Sequence, residues 1–211
     1  FLERGWGGME PFDICLPHVL AHAGIHSHIE TDHYHYFQGG GEFYATSFST
    51  WQLYRGQEFD PMPSQIRAAD SLDPALVWNR DIQTRNRSRF VTDLDFPSPQ
   101  TLQGATDWLR MNADSDNYLL WVEAFDPHTP MDYPDEYDSI YAEELQEDFP
   151  IAALPEGLSQ EKLDRFYEDR RKYANLLQMT DRWLGDLLEE IDRQNGWDDT
   201  IIIFTTDHGL M

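Results

Sequence analysis

Cysteine and long apolar runs are both scarce in this chain of 211 residues. Its one cysteine, Cys15, excludes an intrachain disulfide and a cysteine-based zinc site. No apolar run approaches the roughly 20 residues that a membrane-spanning helix needs, so we expect no membrane span. Because the first residue is Phe1 rather than Met, no signal peptide can be judged, and cytoplasmic, periplasmic and secreted locations all stay open.

Basic residues are also few: 15 lysines and arginines stand against 39 aspartates and glutamates, giving a formal net charge of −24. Such a chain is repelled by nucleic acid and by anionic membrane surfaces, so neither is an expected partner. The acidic residues are densest in Asp132–Asp148 and Glu156–Asp169, which we interpret as solvated helix faces. Hydrophobic residues, at 40%, still allow a packed core, and the length suits one α/β domain or part of one.

Hydrophobic periodicity and turn residues divide the chain into alternating helices and strands. Such alternation predicts an α/β fold with a largely parallel sheet, in which ligands gather at the carboxyl ends of the strands. The predicted strands are Ile25–Thr31, Phe43–Trp51, Tyr118–Phe125 and Thr200–Thr206, and we expect Tyr118–Phe125 to be buried on both sides. The predicted helices are Leu16–Ala23, one within Ser64–Arg89, Ser98–Asn112 and Tyr173–Ile191. Gly24 ends the first of these helices.

Polar clusters follow three of these strands: Thr31–His35, Asp126–His128 and Asp207–Gly209. Carboxylates and imidazoles at one edge of a sheet can bind a metal, hold an anionic oxygen or act as general acid. Simpler interpretations exist, since an aspartate after a strand is often a turn or N-cap residue. A histidine beside a proline is often a surface turn residue, and one at a strand edge is often satisfied by backbone. Spacing alone leaves these alternatives open.

The segment from Tyr173 to Gly209 resembles the sulfatase family of the alkaline phosphatase superfamily. The resemblance rests on Met179–Trp183, Trp197–Thr200 and Thr206–Gly209, and extends to Trp121–Pro130, which is similar to a family block ending in D-P-H-x-P. More loosely, Leu16–Gly24 with Thr31–His35 is similar to the helix and strand before the family's site loop. The resemblance implies an alkaline-phosphatase-like three-layer sandwich with a largely parallel central sheet.

The resemblance also implies roles for individual residues. Asp207 and His208 would bind a divalent metal, and His128 would contact the sulfate ester. His33 or His35 would be the other site histidine, although the loop departs from the family pattern by placing Asp32 near an expected lysine. Many family members have asparagine where His208 stands. We expect Ca²⁺, although it prefers oxygen ligands. Mn²⁺ is the alternative, because an imidazole suits a transition metal better.

Family members use a formylglycine made from the first residue of C/S-x-P-x-R, and a strand with two further metal-binding aspartates. The sequence contains neither; Cys15-Leu16-Pro17 begins the pattern but lacks its arginine, so we interpret Cys15 as the start of a helix. We expect residues 1–211 to form part of one catalytic domain, cut at both ends and inactive alone.

The expected substrate of the intact enzyme is a small-molecule or carbohydrate sulfate ester, and no oligomeric state is specified. The alternatives are a phosphonate monoester or phosphodiester hydrolase of the same superfamily, and a non-enzymatic acidic binding domain on a degenerate scaffold.

Overall fold

The computed structural model describes residues 8–10, 12–38, 41, 43–62, 82–138 and 157–209. Within this part of the chain, three parallel strands form a sheet in the order β2-β1-β3. The strands are β1 (His26–Thr31), β2 (Thr50–Leu53) and β3 (Tyr118–Glu123). In β1, His28 pairs with Thr50 of β2, and His26 pairs with Tyr118 of β3. The prediction of an α/β fold with a parallel sheet is confirmed.

The helices with complete bounds are α1 (Leu16–His22), α2 (Phe43–Thr46), α3 (Pro97–Met111) and α4 (Gln160–Arg193). Single 3₁₀ turns cover Tyr34–Phe37, Asp93–Asp95, Asp135–Tyr137 and Gly196–Asp198, and residues 82–87 are also helical. The predicted helices α1, α3 and α4 are confirmed, although α4 begins earlier than expected. None of the helices in the described residues combines the length and apolarity needed to cross a membrane.

The hydrophobic core lies mainly between α3 and α4. Apolar side chains of α4 recur every three or four residues, so one stripe of the helix faces inward. Leu176 and Met179 on this stripe have no exposed surface. The buried cluster consists of Phe96, Leu102, Ala105, Leu109, Tyr137, Leu176, Met179, Trp183 and Leu187.

A buried aspartate ties α4 to the turn before α3. Asp93 Oδ2 accepts hydrogen bonds from Arg182 Nη1 at 2.7 Å, Tyr137 OH at 2.8 Å and Trp183 Nε1 at 3.0 Å. The Asp93 side chain is only 8% exposed, so the three donors replace the water that its charge would otherwise bind. The Arg182-Trp183 pair, singled out in the sequence as part of a family motif, therefore anchors the helix.

The central strand β1 is buried on both faces, which its alternating sequence does not show. Ser27 to Thr31 are all at most 6% exposed. His28 stacks on Trp108 of α3 with ring centroids 5.1 Å apart, and its Nε2 lies 2.9 Å from Glu30 Oε1. The polar side chains of β1 are therefore hydrogen-bonded within the protein, because they are not exposed to water on a central strand.

The predicted strand Phe43–Trp51 is wrong in its first half. Phe43–Thr46 forms the helical turn α2, and β2 starts only at Thr50. The Ser47 hydroxyl donates to the Phe43 carbonyl at 2.5 Å, so a side chain closes this turn. A serine hydroxyl that hydrogen-bonds to a nearby carbonyl competes with strand pairing. The aromatic residues around Ser47 favour a strand prediction, so the sequence pattern does not indicate the turn.

The predicted strand Thr200–Thr206 is also wrong as a paired element. Residues 201–206 belong to no strand, and Ile201, Ile203 and Phe204 are 82–90% exposed. β3 has one neighbour, β1, within the described residues, and its side chains are half-buried rather than buried on both sides. A strand exists only when another pairs with it, and apolar composition cannot supply the partner.

Two further predictions concern segments that lie mostly outside the described residues. Of the helix within Ser64–Arg89, only 82–87 are seen as helical, and residues 63–81 lie outside the described part. The run Gly39-Gly40-Gly41, which marks a loop in the sequence, also lies mostly outside the described part, which includes only Gly41 of the three. Cys15 is the N-cap residue of α1, so the interpretation of Cys15 as a helix start is confirmed.

Candidate active site

The carboxyl ends of β1 and β3 bring two of the predicted clusters together. Thr31 pairs with Glu123 in the sheet, so the residues that follow each strand emerge side by side. His33 and His35 follow β1, and His128 lies on the loop after β3. Phe125 packs between them, with ring centroids 5.1 Å from His33 and 4.5 Å from His128.

His33 is held by the last residue of β3. His33 Nδ1 lies 3.1 Å from Glu123 Oε1, and the Tyr36 hydroxyl donates to the same oxygen at 2.7 Å. Burial raises the pKa of the Tyr36 phenol, and the charge of Glu123 raises it further. The Tyr36 hydroxyl therefore stays protonated, as the donor in this hydrogen bond.

Glu58 links the other two histidines. Its Oε2 lies 3.1 Å from His35 Nε2, and its Oε1 lies 3.3 Å from His128 Nδ1. The Glu58 side chain is 15% exposed. His33 and His35 also contact each other edge to face, with centroids 5.4 Å apart. Three histidines and two carboxylates thus form one cluster at the end of the sheet.

The proton positions on His128 follow from a backbone contact. His128 Nδ1 lies 2.7 Å from the Thr129 carbonyl oxygen, which can only accept. Nδ1 therefore carries a hydrogen, and Nε2 is the nitrogen that can exchange a proton. Among the described residues, His128 Nε2 has no hydrogen-bonding partner, so it is the ring atom open to a ligand.

The third cluster reaches this edge through His208, whose ring centroid is 6.4 Å from that of His128. His208 Nδ1 faces the Gly209 carbonyl at 3.1 Å and so carries the hydrogen, which leaves the Nε2 lone pair free. That Nε2 is 3.5 Å from Asp207 Oδ2. An imidazole lone pair and a carboxylate oxygen this close can bind one divalent ion.

These two donors fit a metal ion but do not complete its coordination. Within the described residues, no group of three or more His, Cys, Asp or Glu side chains is arranged to hold a metal. The Asp207 and His208 side chains are 86% and 58% exposed, so further ligands can approach them.

Asp32 lies beneath the site rather than in it. It is fully buried: Ser98 Oγ donates to its Oδ2 at 2.6 Å, and the Phe125 amide donates to its Oδ1 at 2.8 Å. Gln57 Nε2 bridges Asp32 Oδ2 at 3.1 Å and Asp126 Oδ1 at 3.0 Å. Burial raises the pKa of Asp32 to about 6 and that of Asp126 to about 7, the latter also through the charge of Asp32.

Sequence reasoning missed Glu58, Glu123, Tyr36 and Gln57. Glu123 carried a usable signal, because it lies near the carboxyl end of the predicted strand Tyr118–Phe125. Glu58 and Gln57 carried no such signal in the sequence, because they lie in a loop whose path depends on contacts with residues far along the chain.

The model of the sulfatase family matches residues 12–211 of the chain. The sequence of the chain matches no curated protein.

Proposed function

The chain belongs to the sulfatase family, and on that premise we propose that it supplies the ester-binding and part of the metal-binding side of a sulfuric ester hydrolase. One observation carries the proposal. Histidines from three separate chain segments, His33 and His35, His128, and His208, meet at one edge of the sheet. A cluster of imidazoles is suited to binding an anionic ester and to moving a proton.

His128 is the proposed proton donor to the leaving alcohol. Its Nδ1 hydrogen faces the Thr129 carbonyl and Glu58, so the ring is oriented with Nε2 available. A positioned imidazole of this kind typically contributes about 10²–10⁴-fold to a proton-transfer step. His33 or His35 would hold the non-bridging oxygens of the ester, and the Phe125 ring packs against both histidines.

Asp207 Oδ2 and His208 Nε2 would hold the divalent ion. When bound, the ion would supply positive charge that stabilises the anionic oxygens of the ester. Ca²⁺ is the proposed ion and Mn²⁺ the alternative, because one donor is a carboxylate and the other an imidazole.

The nucleophile implied by the family resemblance is a formylglycine. No C/S-x-P-x-R motif occurs in the 211 residues. We therefore propose that these residues alone do not turn over sulfate esters, and turnover by the isolated chain would refute this.

The test uses the full-length protein with an aryl sulfate and an aryl phosphonate monoester. A larger kcat/KM on the sulfate supports the proposal; a larger value on the phosphonate favours a phosphonate monoester or phosphodiester hydrolase. Turnover of neither favours a binding domain. His128→Ala should lower kcat by about 10²-fold or more. His22→Ala, an exposed histidine on α1, is the matched control and should leave kcat unchanged.

A further inference from the structure

Glu58 contacts two of the site histidines at once, although it is distant from both in sequence. We propose that Glu58 is a positioning residue that fixes His35 and His128 relative to each other. Its activity test rests on the proposed function, whereas its structural test does not.

The two carboxylate oxygens have separate partners. Oε2 lies 3.1 Å from His35 Nε2, and Oε1 lies 3.3 Å from His128 Nδ1, whose hydrogen also faces the Thr129 carbonyl at 2.7 Å. Because one rigid carboxylate spans both rings, the orientation of one histidine depends on the other. With only 15% of the side chain exposed, water screens these contacts weakly.

The loop that carries Glu58 is fixed on both sides of it. Asp60, 1% exposed, accepts hydrogen bonds from Arg55 Nε at 2.7 Å and from the Gly56 amide at 2.8 Å. Asn86 Nδ2 donates to the Asp60 carbonyl at 2.9 Å. On the other flank, the side chain of Gln57 is buried between Asp32 and Asp126. Glu58 is therefore presented by a rigid loop and not by a free one.

The backbone at Glu58 adopts a conformation that its side chain disfavours. Its φ is +44°, in the left-handed region where glycine is the usual residue. Residues kept in this region against their preference concentrate at functional sites. A glutamate at this position is better explained by what its carboxylate contacts than by what its backbone requires.

The site offers a matched comparison in Glu123. Glu123 contacts His33 Nδ1 at 3.1 Å and the Tyr36 hydroxyl at 2.7 Å. The two carboxylates thus hold different histidines within one cluster. A change at Glu123 should disturb His33, and a change at Glu58 should disturb His35 and His128.

The structural test is the ¹⁵N chemical shifts of the imidazole nitrogens, which report the hydrogen bonding of each ring. E58G should move the signals of both His35 and His128 and leave that of His33 in place. E123Q should move that of His33 alone. In E58Q an NH₂ group replaces one oxygen, so only one acceptor oxygen remains and the two rings no longer share a carboxylate. If E58G leaves either the His35 or the His128 signal unchanged, the proposal is wrong.

The activity test uses the full-length protein. E58G and E58Q should lower kcat/KM by about 10–100-fold, mostly through kcat, the range typical when a residue that orients a functional histidine is lost. The control E136Q, at an exposed position, should match the parent. E58G should melt at the same temperature as the parent or higher, because glycine accepts the positive φ. Parent-like kcat/KM, or a large fall in Tm that accounts for the loss, would overturn the proposal. Failure of the parent to hydrolyse sulfate esters would refute the proposed function but leave the shift measurement decisive.

Discussion

Replacing Asp126 with asparagine should stabilise the protein at alkaline pH. Asp126 is half-buried, and its pKa is raised to about 7, chiefly by desolvation and then by the charge of Asp32. Gln57 Nε2 donates to its Oδ1 at 3.0 Å, and an asparagine carbonyl offers the same acceptor in the same place. The substitution Asp126→Asn thus keeps shape and hydrogen bonding while removing the charge.

The expected size follows from proton linkage. In the unfolded chain the carboxyl has its ordinary pKa of 3.8, whereas in the folded protein the pKa is about 7. The folded state therefore binds more protons in this window, and its stability falls as pH rises from 3.8 through about 7. At about 1.4 kcal/mol per pKa unit, the loss is about 1.5 kcal/mol at pH 5 and about 4 kcal/mol at pH 8. Asparagine does not ionise, so the variant avoids this loss.

Urea unfolding followed by tryptophan fluorescence, at pH 5 and pH 8, measures both values. The advantage of Asp126→Asn over the parent should grow by about 2–3 kcal/mol between the two pH values. Asp114→Asn, at an exposed position on the turn after α3, controls for the loss of one surface charge. A variant less stable than the parent at pH 8, or an advantage that does not change with pH, would refute the raised pKa of Asp126 in the folded protein.

Three further predictions concern separate parts of the molecule. Asp93→Ala should lower the free energy of unfolding by about 3 kcal/mol, because the Trp183 indole and a tyrosine hydroxyl lose a buried acceptor; an effect no larger than that of Asp114→Ala would contradict this. His208→Asn in the full-length protein should shift metal preference from Mn²⁺ toward Ca²⁺ by about tenfold, measured by calorimetric titration; an unchanged ratio of the two Kd values would argue against His208 as a ligand. Gly56→Ala should destabilise by about 2 kcal/mol, since its φ is +124° and a Cβ would lie 2.7 Å from an aromatic carbon. Gly185→Ala, in open space on α4, should instead stabilise by about 1 kcal/mol, and a similar sign for both glycines would refute the contrast.

Most elements with strong local periodicity could be predicted from the sequence. The stripe of Leu176, Met179, Trp183 and Leu187 predicts α4, and the structure buries those side chains. The turn at Phe43–Thr46 could not be predicted, because a serine hydroxyl decides it. The strand predicted at Thr200–Thr206 is wrong for another reason: strand formation depends on a partner, and apolar composition says nothing about whether one is present.

The candidate site was predicted only in part. The convergence of His33, His35 and His128 followed from their places after parallel strands, and the structure brings them together. Their roles, and the metal ligation by Asp207 and His208, remain predictions. Glu58 was beyond reach, because its position depends on the Asp60 and Gln57 contacts that shape its loop.

The exposed segment 201–206 bears on how this chain behaves in solution. Ile201, Ile203 and Phe204 show 82–90% of their surface to water, and their backbone forms no ladder within the described residues. Extended apolar backbone with unused donors and acceptors is a template for pairing with another molecule. At high concentration we expect copies to associate edge to edge despite their mutual charge repulsion, and light scattering that rises with concentration and falls on Ile203→Lys would reveal it. Scattering that is independent of concentration would contradict this expectation.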